Sequence, residues 1–277
     1  MELIDINKDS IGLIIPVKYS KARADLSLLE KCLDSVYGKC FNKNNIKVFI
    51  GIDEGDQQTT NYVKEVISGK SYVMQLKFYY RPKKDNFVQN FYEFGAHLSP
   101  CDLFWCLGED IEILTNNYDV VVGNAVRVFR RKLEEAAHTN ILSQRMLNTF
   151  IPYITVGGEG INGLPNGTNN YCNFPILSKN FSHEGSIFPP YLFAWGVDSY
   201  LAKVYEGLLG NGIDFTIDLR DLLKIKHSSP HLGDYPKDNV FALQERRSSM
   251  HGWSNKVYAE EIQKSLDFFN RTIGVPS

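Results

Sequence analysis

The sequence predicts an α/β fold: a mostly parallel, Rossmann-like sheet with helices on both faces and an embellished C-terminal half. Three observations carry this. Residues 11–17, 46–52 and 103–107 are short continuous apolar runs, the pattern of strands buried on both faces. Segments with apolar residues at helical spacing lie between them. The repeated order of strand and helix calls for right-handed crossovers between parallel strands.

The first strand reads Ile-Gly-Leu-Ile-Ile-Pro-Val over 11–17. Leu26, Leu29, Leu33 and Val36 then recur at helical spacing, and Gly38 is the stop. Residues 46–52 form the second strand. Tyr62, Val63, Val66 and Ile67 place a helix over 58–68, ended by Gly69. Leu76, Phe78 and Tyr80 alternate, which predicts a third strand before Arg81-Pro82. Phe87, Phe91, Phe94 and Leu98 form a further helical stripe, and 103–107 is the fourth strand. Residues 118–137 read as helix. Residues 155–175 are rich in Gly and Asn, lack periodicity and read as one long loop. Within it, Gly157-Gly158-Glu159-Gly160 reads equally as a lid over a ligand or as plain loop. A helix follows Trp195-Gly196, with Tyr200, Leu201, Val204 and Leu208 on one face. Residues 213–219 and 222–226 read as short strands and 227–233 as a loop. Val257, Ile262, Leu266 and Phe269 mark a final helix. With no repeat and no linker, 1–277 reads as one domain. Its parts are a ligand-binding half over 10–112, a second half over 113–235 and a helical extension over 236–277.

Composition narrows the function. Thirty Lys and Arg against 32 Asp and Glu give a net charge of -2. A protein that grips nucleic acid through its phosphates is usually basic, so no nucleic-acid partner is expected. No apolar run approaches the roughly 20 residues of a membrane helix. The start lacks a basic and then apolar leader. Five cysteines with no Cys-x-x-Cys pair argue against a disulfide framework and a structural zinc site. The sequons at Asn166, Asn180 and Asn270 are then expected to be unmodified. A soluble, cytoplasmic protein is expected.

Ligands of open parallel sheets bind beyond the carboxyl ends of the strands. The first strand is followed by Lys18-Tyr-Ser-Lys-Ala-Arg23, the second by Asp53-Glu-Gly-Asp56, the third by Arg81-Pro-Lys83-Lys84, the fourth by Gly108-Glu109-Asp110-Ile-Glu112. Carboxylates and cations from distant segments therefore meet at one rim. No Gly-x-Gly-x-x-Gly and no Gly-x-x-x-x-Gly-Lys-Ser/Thr loop is present to cradle phosphates. A diphosphate bound here needs another neutraliser, and a divalent cation held by carboxylates supplies it. Glu109-Asp110-Ile111-Glu112 fits such a clamp, with hard oxygen ligands suited to Mg²⁺ or Mn²⁺. On spacing alone it fits a solvated turn as well. Asp53 fits either a ribose or base contact or a turn-forming acid.

Taken together these segments resemble a family-2-like glycosyltransferase of the GT-A fold. The strand ending Ile-Ile-Pro-Val, the strand ending in Asp53, and Leu-Gly-Glu109-Asp110-Ile-Glu112 in the place of an Asp-x-Asp motif carry the resemblance. So does Phe188-Pro-Pro-Tyr-Leu-Phe-Ala-Trp195-Gly196-Val-Asp198, which is similar to the acceptor-side segment of such enzymes. The resemblance covers about residues 10–230. It implies a metal-dependent, inverting transfer from a UDP-sugar to a glycan hydroxyl. Pro16, Lys18, Arg23, Asp53, Arg81, Glu109 and Asp110 would surround the nucleotide sugar. Asp110, Glu112 and a late histidine, His227 before His231, would hold Mn²⁺ or Mg²⁺. Glu109 departs from the usual Asp, and its longer side chain would reach the ribose or a metal-bound water.

In the same resemblance Asp198 is the general base, taking the proton of the attacking hydroxyl. Trp195 and Gly196 would receive the acceptor sugar. Lys83 and Lys84 stand with the other cations as helpers for the leaving diphosphate. Soluble chains of this kind look similar to glycan-building enzymes of large DNA viruses and of bacteria, with xylose as the donor sugar to test first. Two rivals stay open. One is a sugar-phosphate nucleotidyltransferase, which would need the Gly-rich loop that the first turn lacks. The other is an inactive carbohydrate-binding relic of the same fold, for which Glu109 is the argument.

Overall fold

The structure is a computed structural model that describes residues 10–81, 88–159, 174–181, 187–188, 197–228 and 255–274. Lys83, Lys84, Phe87, Gly160, Trp195, Gly196 and His231 fall outside these, as do the side chains of Arg81, Phe91, Asp198 and Val257.

The apolar runs form the expected parallel strands: β1 (Ile11–Pro16), β2 (Ile46–Asp53), β3 (Leu76–Arg81) and β4 (Leu103–Cys106). Each connection carries helix: α1 (Lys21–Asp25) and α2 (Leu28–Gly38), then α3 (Gln57–Ile67), then α4 (Val88–Leu98). Beyond these come β5 (Ile111–Ile113), α5 (Tyr118–Ala137), α6 (Ile141–Thr149), β6 (Tyr153–Thr155), β7 (Gly157–Glu159) and β8 (Ile176–Ser178). The chain then gives α7 (Val197–Gly210), β9 (Thr216–Asp218), β10 (Lys224–His227) and α8 (Asn255–Ile273).

The main sheet has the order β3-β2-β1-β4-β8-β6-β9. β1 pairs in parallel with β2 and with β4, so the winding direction reverses between β1 and β4. A reversal of that kind opens a crevice at the carboxyl ends of the two strands. β8 is antiparallel to both β4 and β6. The second half is therefore a mixed sheet rather than an extension of the parallel one. A small sheet, β5-β10-β7, stands beside it. One apolar cluster runs from Ile11, Leu13 and Ile15 in β1 through Trp105 and Tyr118 to Tyr205 and Phe269. It gives the strand ends a rigid base.

The alternation of Leu76, Phe78 and Tyr80 gives the expected strand, with only Leu76 of the three buried. β3 is the outer strand of its sheet, and Phe78 and Tyr80 are exposed while Tyr79 is buried. Phe94 and Leu98 of α4 are also exposed. That helix packs on β1 through small residues instead. A Cβ on Gly95 would lie 2.6 Å from the Ile14 Cγ2, so close approach requires glycine there. Leu26 is likewise exposed, because α1 and α2 are separate helices, broken at Ser27 with a left-handed φ of 52°.

The expected loop over 155–175 is not uniform. Gly157–Glu159 is β7, paired in parallel with β10, and so not a lid. A Cβ on Gly157 would lie 2.2 Å from the Arg220 carbonyl oxygen, so glycine is what lets this strand approach. No helix among the described residues is long and apolar enough to cross a membrane.

Candidate active site

The rim is assembled from three turns. Asp53 ends β2 and is buried. Asp56, three residues on, caps α3: its carboxylate accepts from the Thr59 N–H at 3.0 Å and the Thr59 hydroxyl at 2.9 Å. The Thr59 hydroxyl also accepts from the Tyr19 N–H at 3.0 Å, which ties the turn after β1 to α3. Lys18 in that turn bonds Asp56 and stands 3.8 Å from Asp53. The Lys18 ammonium and the Thr59 bonds hold the Asp56 carboxyl below the usual carboxylate range, against the opposing effect of its burial. Pro16, half-buried, ends β1 opposite Gly51, and Arg81 ends β3 opposite Asp53.

The second group follows β4. The Ile111 N–H donates to the Gly108 carbonyl at 3.2 Å, closing a turn over Glu109 and Asp110. A Cβ on Gly108 would lie 2.5 Å from Asp110 Oδ1, so the turn folds the carboxylate back over a residue that must be small. Both acids are buried. Arg23, from α1, reaches them: its Nη1 is 2.8 Å from Glu109 Oε1 and 3.4 Å from Asp110 Oδ2. On the other side, His227 Nε2 is 3.4 Å from the same Asp110 Oδ2. Phe174 holds the His227 ring edge-on at 5.2 Å, and the Ser228 N–H donates to the Asp110 carbonyl at 2.9 Å.

The electrostatics separate the two acids. Burial would raise the Asp110 pKa, but His227 and Arg23 outweigh it and hold the carboxyl below its ordinary value. Glu109 goes the other way. Its burial, with the Asp110 charge beside it, exceeds what Arg23 returns, and its pKa is pushed up to about 7. Its Oε2 has no hydrogen-bond partner among the described residues. Between 4.5 and about 7 the folded chain therefore holds a proton that the unfolded chain has released. Stability from this group is greatest below that window and falls as pH rises through it, by about 3 kcal/mol at most. Glu109→Gln fixes the uncharged form. Its unfolding free energy is expected to match the parent's near pH 4, below the window, and exceed it near pH 8. Denaturant titrations at both pH values check this, and equal differences at both would refute it.

The structure thus groups Arg23, Glu109, Asp110 and His227, and the Lys18 backbone N–H, which bonds Glu109, joins them to the Lys18–Asp53 pair. It does not bring Glu112 to them. Glu112 faces Lys226 across β5 and β10, whereas His227 is opposite Ile111. Neighbours along a strand point to opposite faces, so Glu112 is turned away from the His227 side. Asp198 lies in the first turn of α7. Among the described residues no group of three or more His, Cys, Asp and Glu side chains stands ready to hold a metal. Asp110 and His227 are a pair that still fits one. Octahedral ligands at about 2.1 Å from an ion sit about 3.0 Å apart along an edge, close to the separation here, and substrate phosphates and water commonly complete such an ion.

Three supporting residues carried no functional signal in the sequence. Tyr92 donates to the Leu107 carbonyl at 3.0 Å and braces the end of β4. Cys32 lies under the turn, its Sγ 3.6 Å from the Gly108 carbonyl, and burial with the Asp110 and Glu109 charges drives its thiol pKa far up. It is packing, not a nucleophile. Tyr62 is buried, and burial with the Glu109 charge raises its pKa to about 12.

No family model matches the chain, and no curated protein does. Solved structures of similar fold exist. The mannosyltransferase PcManGT from Pyrobaculum calidifontis, in complex with GDP-Man and Mn²⁺, superposes with a TM-score of 0.52 at 11% identity, over 80% of this chain and 57% of that one. S. aureus TarS superposes with a TM-score of 0.50 at 13% identity, over 79% of this chain and 37% of that one. TarS 1-349 gives 0.48 at 14% identity, over 78% and 60%. The chain spans less than two thirds of the length of each of these proteins. What the likeness shows is the fold: a GT-A-like sheet flanked by helices.

Proposed function

We propose that the protein is a nucleotide-sugar glycosyltransferase that uses a divalent metal, Mn²⁺ or Mg²⁺. The observation that carries this is the Arg23–Glu109–Asp110–His227 cluster at the crevice between β1 and β4, with Asp53 and Lys18 beside it. The PcManGT structure of similar fold, with GDP-Man and Mn²⁺, supports a nucleotide diphosphate and a metal as the ligands. Asp53 would accept from the ribose or base. Lys18 and Arg23 would neutralise phosphate oxygens. Asp110 and His227 would hold the ion, whose chemistry is to stabilise the diphosphate as it leaves. UDP is the nucleotide and xylose the first sugar to test. The acceptor is a glycan hydroxyl deprotonated by Asp198, with Trp195 and Gly196 on the acceptor side. Direct displacement of this kind inverts the anomeric centre.

A nucleotidyltransferase is disfavoured by the turn after β1, Lys18-Tyr-Ser-Lys, which has no glycine and whose Tyr19 N–H is tied to Thr59 of α3 in place of a Gly-rich phosphate loop. A thermal-shift series tests the reading. UDP or UDP-sugar with Mn²⁺ is expected to raise the unfolding temperature more than either alone, since a ligand of the folded state stabilises it. No shift with any UDP or GDP compound, with or without Mn²⁺, would end it. Binding without hydrolysis or transfer would instead favour the inactive relic.

A further inference from the structure

Arg23 occupies the position that matters most for an ion. Its guanidinium lies on Glu109 at 2.8 Å and on Asp110 at 3.4 Å, with the side chain only 17% exposed. The oxygen it shares, Asp110 Oδ2, is the one that faces His227. A divalent ion between Asp110 and His227 would therefore meet a fixed positive charge on the same oxygen. Two cations that close repel strongly in a buried setting. The acids are not fully met either, because Glu109 is 3% exposed and its Oε2 has no hydrogen-bond partner among the described residues.

The acids and the arginine differ in how they are held. The acids follow β4 in a tight turn on the sheet. Arg23 rides on α1, a helix of five residues with none of them buried, capped by Ser20 at 3.3 Å. It ends at Asp25, and the left-handed Ser27 separates it from α2. None of the core side chains comes from α1, so a shift of this arginine off the acids does not unpack the core. A guanidinium grips phosphate oxygens in a bidentate fork, which gives it a destination when a diphosphate arrives.

We propose that Arg23 is the resident counter-cation of the Glu109–Asp110 pair, and that a nucleotide diphosphate draws it off and so opens Asp110 to a divalent ion. The proposal rests on the nucleotide-sugar reading above. Its consequence is positive coupling: nucleotide tightens metal, and metal tightens nucleotide by the same factor. Arg23 thereby guards against metal uptake without substrate.

The test is Mn²⁺ binding, by calorimetry and by the electron-spin signal of free Mn²⁺, with and without UDP. Wild-type protein is expected to bind Mn²⁺ alone weakly, and roughly tenfold or more tightly once UDP is bound. Arg23→Gln is expected to bind Mn²⁺ alone roughly tenfold tighter than wild type, to bind UDP alone less well, and to lose most of the coupling. Arg23→Gln with wild-type or weaker Mn²⁺ affinity overturns the proposal. Should that variant not fold, the same comparison is made between Arg23→Gln/Glu109→Gln and Glu109→Gln, where the arginine is removed from a site whose buried glutamate is already uncharged. Asp110→Asn separates the two levels. If it loses Mn²⁺ while Arg23→Gln changes nothing, only the role of Arg23 fails. If Asp110→Asn keeps wild-type Mn²⁺–UDP binding, or wild type binds neither ligand, the site reading fails and the hand-over with it.

Discussion

Asp110→Asn is expected to abolish the tightening of UDP binding by Mn²⁺ and to lower sugar transfer by roughly 10²-fold or more, the scale of losing one preorganised charge stabiliser in an active site. Asparagine keeps the size of the side chain and one acceptor oxygen, so the turn over Gly108 can close as before. What it removes is the charge that faces both Arg23 and His227. Asp110 is the acid that this pair keeps ionised, whereas its neighbour Glu109 is driven toward neutrality by burial. The two carboxylates are thus unequal, and it is the second, Asp110, to which the proposed function assigns the metal. Some stability is lost as well, since Arg23 and His227 each lose a partner, on the order of 1–3 kcal/mol. A domain of ordinary stability survives that loss. Binding by calorimetry and transfer by product analysis separate the two effects. Mn²⁺-dependent UDP binding unchanged from wild type would remove Asp110 from the metal.

The parts of this site that were legible in the sequence are those fixed by chain-local rules. A run such as Ile-Gly-Leu-Ile-Ile is stable only where both faces are covered, so β1, β2 and β4 declared themselves, and Ile11, Leu13, Ile50 and Trp105 are all buried. Acids placed just after such strands must gather at one edge of a parallel sheet. Asp53, Glu109 and Asp110 follow from that. What did not follow depends on contacts between distant segments. Gly157 and Gly158 carry no periodic signal, and they are a strand only because β10 lies alongside. Glu112 is in the right motif, but the pairing of β5 with β10 sets which way it points. The aromatic patterns of β3 and α4 announced a strand and a helix but not which side chains are covered. A large apolar side chain at the border of a sheet can stay in water, while Gly95 and Ala96 make the closer contact. Arg23 was one of several cations near the rim. Only the break at Ser27 and the depth of the acids single it out.

Asp198→Asn is expected to leave Mn²⁺–UDP binding intact and to reduce transfer by roughly 10²- to 10⁴-fold, the range for loss of a positioned general base. The acid sits in the first turn of α7, where the helix dipole favours a charged carboxylate. A base must be held still to be useful, and α7 is anchored along its length. Tyr200 Oη is 2.5 Å from the Ser265 hydroxyl of α8, Tyr205 donates to the Ile151 carbonyl at 2.9 Å, and Leu201, Val204 and Leu208 are buried. Both tyrosines lie on the helix that begins beside Asp198, so their bonds fix its axis against the sheet and the final helix. The anchoring residues make a second, independent check. Tyr205→Phe removes one buried hydrogen bond and keeps the ring stacked on Tyr153 at 4.6 Å, so it bears on how firmly α7 is held without touching the acid. The decisive quantity is the split between binding and turnover. Loss of transfer with unchanged UDP affinity assigns Asp198 to the chemical step, whereas full activity in Asp198→Asn means that the proton goes elsewhere. A product that keeps the anomeric configuration of the donor would remove the need for such a base altogether.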